Sequence, residues 1–134
     1  MKARLEKYAK KLLSRIADGE AAILKRAYIS GGDWQPKVRM CHHNVTTWCN
    51  HKSEYTPVRG WLYFDLSELN CIRFVAHSAV LTPQGELYDI TPKNASQDYP
   101  FLSSNLSDEE FEELVELTDG GEINISPIKQ YTTS

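Results

Sequence analysis

The chain has no run approaching the roughly 18 consecutive apolar residues of a membrane-spanning helix. Residues 1–11 are charged throughout and contain no apolar leader core. The expectation is a cytoplasmic protein without a membrane partner. Cysteine is sparse: three residues, Cys41, Cys49 and Cys71, cannot all pair within one chain, and in a cytosolic setting they are expected as reduced thiols. Four Asn-x-Ser/Thr triplets, at Asn44, Asn94, Asn105 and Asn124, then read as chance matches. Charge of one sign is also lacking. The net charge of −3 gives no bulk attraction to nucleic acid, and neither a Gly-rich phosphate loop nor an aromatic-basic array of the RNA-binding kind is present. No nucleic-acid partner is expected. There is no internal repeat and no low-complexity segment.

What is there fits one soluble globular domain spanning residues 1–134, with 41% hydrophobic and 25% charged residues. Basic residues concentrate in the first forty positions and acidic ones between Asp108 and Glu122, a pattern of solvated helix faces. Residues 2–17 place Leu5, Tyr8, Ala9, Leu12, Leu13 and Ile16 at helical spacing. A second short helix is predicted from Glu20 to Tyr28, closing an N-terminal helical part over residues 1–33. Trp34 to Met40 reads as loop, and Cys41 to Trp48 as a helix that depends on burying Val45 and Trp48, because Asn44, Thr46 and Thr47 are weak helix formers. Strands are predicted at Gly60–Leu66, Cys71–Leu81 and Glu86–Thr91, the last two joined as a hairpin by Thr82-Pro83-Gln84-Gly85. Residues 93–105 read as irregular. Ser107 and Glu110 form a capping box that opens a helix to about Leu117. A short edge strand follows over Glu122–Ile128, and the tail from Lys129 reads as loose. This order predicts an α+β domain, with N-terminal helices packed on a small antiparallel sheet. Residues 34–92 would form the functional core, and residues 93–128 a C-terminal helix and edge strand.

Cys41 stands where loop should become helix. The first amides and the dipole of a helix favour a thiolate there, and the same amides can hold an oxyanion. His77 is the candidate base. Strand alternation places it with Arg73, Val75, Ala79 and Leu81 on one face of its strand, and the returning strand brings Asp89 opposite or diagonal to it. A carboxylate there can fix the imidazole tautomer and stabilise its cation. His42 and Asn44 beside the cysteine, and the tryptophans Trp34, Trp48 and Trp61, are candidates to line the site.

Cysteine at a helix start, followed by histidine and a polar orienter on adjacent antiparallel strands, resembles papain-like thiol hydrolases in the broad sense, including NlpC-type endopeptidases and transglutaminase-like enzymes. The resemblance covers about Gln35 to Thr91. Gln35 stands six residues before Cys41, the spacing at which papain-type proteases keep an oxyanion-hole glutamine. The papain signature Cys-Gly-Ser-Cys-Trp is absent, since His42-His43-Asn44 follow Cys41. The blocks Cys41–Asn44, Gly60-Trp61, His77-Ser78 and Asp89–Pro92 are also similar to blocks in uncharacterised bacterial and phage proteins, a similarity that implies no function. The family resemblance implies a papain-like core without a cofactor. It implies acyl transfer at an amide or thioester of a peptide, protein or small-molecule substrate, by a Cys41-His77-Asp89 triad. So short a chain has little material for a long cleft and favours a narrow substrate range.

Two alternatives stay open. Zinc takes Cys and His ligands in tetrahedral geometry, and Cys41, His42, His43, Cys49 and His51 could supply them if the segment were a loop. In a helix Cys41 and Cys49 would lie about 12 Å apart along the axis. The second alternative is a non-catalytic protein-binding modulator, which the small size and acidic C-terminal helix permit.

Overall fold

The structure, a computed structural model, describes residues 3–30, 34–92 and 98–126. It has three helices, α1 (Ala3–Ala17), α2 (Cys41–His51) and α3 (Asp108–Leu117). The strands are β1 (Lys25–Arg26), β2 (Thr56–Leu66), β3 (Cys71–Leu81), β4 (Leu87–Asp89), β5 (Phe101–Ser103) and β6 (Glu122–Ile125). They form one mixed sheet in the order β1-β4-β3-β2-β5, with β6 also beside β3. The α+β class holds. No described helix is long and apolar enough to cross a membrane.

The backbone of the sheet is the antiparallel hairpin of β2 and β3, paired from Thr56↔Leu81 to Leu66↔Cys71. Alternation puts Trp61, Ile72, Phe74 and Val80 on one face of it. Trp61, Ile72, Phe74 and Ile123 face α1 and α3 and bury against Leu5, Ala9, Leu12, Phe111 and Leu114. Further along β3, Val80 packs with Val45 and Trp48 of α2 and with Ile90. Helix α1 follows its apolar stripe, and α3 opens with the expected reciprocal bonds between Ser107 and Glu110.

Two parts of the chain depart from the sequence reading. Residues 20–28 are not a helix. Lys25 and Arg26 form a strand parallel to β4, with Lys25 opposite Tyr88 and Arg26 opposite Asp89, and Ala22 bridges to Phe101. A segment this short is marginal as an isolated helix. Here the sheet edge satisfies its backbone, and Glu86, Asp89 and Asp98 meet its cations. The connection after β4 also hides β5, which pairs with Gly60–Leu62 of β2. Predicted features at Gly31–Asp33, residues 93–97 and 127–134 lie outside the described residues.

The edge of β3 away from β2 is shared by two strands. It pairs with β6 at Ile72–Val75 and with β4 only at Val80 and Leu81. Residues 76–79 between them have no strand partner on that edge among the described residues, although the Ala76 amide donates to the Gly121 carbonyl at 2.8 Å. The start of α2 meets the sheet at this gap.

Candidate active site

Cys41 is the first residue of α2. The first helical bond runs from the Asn44 amide to the Met40 carbonyl, 2.8 Å, so the amides of Cys41, His42 and His43 precede the hydrogen-bonded ladder. In contrast to α3, this helix start has no capping side chain and no acidic residue in its first turn. Its unmet donors and positive dipole end are left to the thiol and to whatever lies beside it.

Two successive residues of α2 reach two successive residues of β3. The Cys41 thiol lies near enough to the imidazoles of His77 and His42 for both to favour its thiolate. His42 Nδ1 lies 2.5 Å from Ser78 Oγ. His77 and Ser78 leave β3 on opposite faces, so the helix start straddles the strand at the gap in its edge.

His77 is buried, and its Nε2 lies 3.0 Å from Oδ2 of buried Asp89. With Nε2 engaged there, Nδ1 is the ring nitrogen left for the thiol. The register Val80↔Tyr88 makes Asp89 a diagonal rather than directly opposite neighbour of His77. Asp89 is itself fixed: Oδ1 accepts the Thr91 amide at 3.0 Å, and Arg26 Nη2 stands 3.6 Å from Oδ2. The Phe101 ring packs edge-on to His77, centroids 6.1 Å apart. Glycine at position 60 makes room for it, because a Cβ there would stand 2.6 Å from that ring and 2.3 Å from the Leu102 carbonyl oxygen.

Burial pushes the Cys41 thiol up, but hydrogen bonds to His42 and His77, with a further contribution from imidazole charge, outweigh it and bring the thiol down to about 5. Burial would lower His77. Its bonds to Asp89 and Cys41 and their negative charge raise it instead, to about 9. The pair is coupled, and its stable form over that interval is thiolate with imidazolium. Cys49 behaves in the opposite way, because burial pushes its thiol up.

His42 has its own support. Arg59 Nη1 donates to Ser78 Oγ at 2.8 Å. An arginine can only donate, so the serine proton is directed to His42 Nδ1, and His42 presents an N–H at Nε2 to the thiol. Arg59 also reaches Thr46 Oγ1 at 3.0 Å and Asp108 at 3.7 Å, binding the start of α2 to the sheet and to α3. Sequence reasoning assigned no role to Arg26 or Arg59, and named Ser78 only within the His77-Ser78 block; their partners are set by tertiary pairing.

Cys41, His77 and Asp89 open onto one cavity of about 850 Å³. Its walls are largely apolar, with Ile23, Leu24, Leu62, Phe64, Val75 and Tyr99, and Arg26, Arg39, Asp98 and Glu122 bring charge to it.

The remaining candidates sit elsewhere. Asn44 is fully buried, and its amide is used structurally: Oδ1 accepts the Lys37 amide at 3.0 Å, while Nδ2 donates to the Lys37 carbonyl at 2.8 Å and to Thr91 Oγ1 at 3.0 Å. It clamps the turn before Cys41 to the chain just beyond Asp89. Trp61 lies wholly in the core, with its indole N–H donating to the Tyr8 hydroxyl at 2.9 Å. Gln35 is exposed. None of these three lines the cavity, nor do Trp34 and Trp48, which stack on each other instead. His43 and His51 are exposed. Because residues 41–51 are helical, Cys41 and Cys49 are two turns apart. Among the described residues no group of three or more His, Cys, Asp or Glu is placed to share a metal ion.

Neither a family model, nor a curated protein, nor a solved structure matches the chain.

Proposed function

We propose that the chain is a cysteine-dependent acyl-transfer enzyme, acting on an amide or thioester with Cys41 as nucleophile, His77 as acid–base and Asp89 as its orienter. One observation carries the reading: the Cys41 thiol, lowered to about 5, lies between two imidazoles at an uncapped helix start and opens onto a cavity. Core-packing cysteines do not need such surroundings, and nucleophilic ones do.

The chemistry follows from the positions. The Cys41 thiolate attacks the substrate carbonyl carbon, a C–S bond forms, and the carbonyl electron pair moves to oxygen. Amides at the start of α2 are the donors nearest that oxyanion. The His77 imidazolium gives its proton to the leaving nitrogen or sulfur as the bond to carbon breaks, which leaves a thioester on Cys41 and a neutral imidazole. Water, or another nucleophile, then loses a proton to His77 as it attacks the thioester. Cys41 leaves as thiolate and the imidazolium is restored. Asp89 holds the ring and its charge throughout. The papain-like resemblance, in its order of cysteine, histidine and acid, belongs to this same reading.

The test is acylation by p-nitrophenyl acetate. A burst of nitrophenolate with an acetyl mass added at Cys41, absent from Cys41→Ala, supports the proposal. Acetylation spread evenly over Cys41, Cys49 and Cys71 would sink it.

A further inference from the structure

The cavity charges are mostly cancelled. Arg26 lies 3.3 Å from Asp98 and 3.6 Å from Asp89, and Glu122 lies 3.3 Å from Arg73. Arg39 is the exception: it lines the cavity and has no carboxylate within ion-pair distance among the described residues. Its backbone is unusual too. Arg39 occupies a turn closed by the Met40 amide and the Lys37 carbonyl, 3.3 Å, at φ 65. Turns place glycine or asparagine at such a position, because a side chain there costs about 1 kcal/mol. The Asn44 clamp on Lys37 holds this turn in place. An arginine is thus set two residues before the nucleophile, at the wall of a cavity that Leu62, Phe64 and Val75 also line.

Building on the acyl-transfer reading, we infer that the substrate carries one carboxylate, which pairs with Arg39, on an otherwise apolar body that lies against Leu62, Phe64 and Val75. A cation with no carboxylate partner among the described residues complements a monoanion, and a planar guanidinium meets a carboxylate in a two-pronged geometry. The apolar lining gives no hydrogen bond to a polar body and favours a hydrocarbon one.

Alkylation of Cys41 by three haloacetyl probes separates this inference from the reading beneath it. Iodoacetate carries the carboxylate, iodoacetamide is its neutral counterpart, and N-phenyliodoacetamide adds an apolar body. Each rate is divided by that of the same probe with free cysteine. The normalised iodoacetate-to-iodoacetamide ratio should fall about two- to fivefold in Arg39→Gln, the size of a solvent-accessible ion pair, and should fall in the wild type as salt rises. Normalised N-phenyliodoacetamide should outpace iodoacetamide at Cys41. A ratio unmoved by Arg39→Gln, with fast iodoacetamide labelling, overturns the carboxylate subsite and leaves the nucleophile standing. Equal normalised rates for the two amides overturn the apolar half. Slow labelling by all three removes the reactive thiol and the inference with it.

Discussion

Oδ2 of Asp89 stands 3.0 Å from Nε2 of His77, on a strand that leaves β3 after only two paired residues. The short pairing lets the carboxylate sit beside the ring while the gap it leaves admits the start of α2. The position also assigns the ring nitrogens, with Nε2 to the acid and Nδ1 to the thiol.

Asp89→Asn keeps the shape and removes the charge. A hydrogen bond to a charged group is worth about 1.5–3 kcal/mol, so acylation of Cys41 should slow by about 10- to 100-fold. Because the carboxylate helps raise His77, the alkaline limb of the rate profile should also move down from about 9. Stopped-flow acylation across pH reads both. A slower enzyme with an unmoved limb would leave Asp89 a packing residue.

Ser78→Ala removes the link between Arg59 and His42 without touching Cys41. Losing one hydrogen bond of about 0.5–1.5 kcal/mol should raise the Cys41 midpoint by up to about one pH unit. His42→Gln should shift it in the same direction. Midpoints unchanged in both variants would leave His77 as the one imidazole that matters to the thiol.

Asn44→Ala removes three hydrogen bonds of a fully buried amide, two to the Lys37 backbone and one to Thr91. At about 0.5–1.5 kcal/mol each, urea unfolding should report a loss of about 2–3 kcal/mol. Alkylation of Cys41 should slow in the still-folded fraction, because the turn before it is released. A loss of stability with unchanged alkylation would confine Asn44 to holding the fold.

Strand alternation was enough to put His77 and Asp89 on one side of the sheet, because a residue's face follows from parity once the turn at Thr82–Gly85 is recognised. The start of α2 was legible for a similar reason: Val45 and Trp48 supply a buried face immediately after the loop ending at Met40. The same local logic misread Glu20–Tyr28, where Ile23, Leu24 and Ala27 sit at helical spacing yet the backbone completes a sheet edge. It missed β5, whose three residues are too few to show a period. Asn44 looked like a site residue because it follows the Cys-His-His run, but its role depends on Lys37 and Thr91 arriving from two other segments. Trp61, opposite Ala76, shares the core face of the hairpin, which its parity already indicated. Arg26, Arg39 and Arg59 gave no local signal. An arginine's partners are fixed only when the strands pair.

The charge state of the Cys41 thiol decides whether it is a nucleophile, and the pH profile of iodoacetamide alkylation, resolved by cysteine, measures it. The Cys41 rate should rise through a midpoint near 5 and level off by pH 6, where Cys49, raised by its burial, remains almost unlabelled. Slow labelling of all three with a common midpoint near the ordinary thiol value of about 8.5 would contradict it.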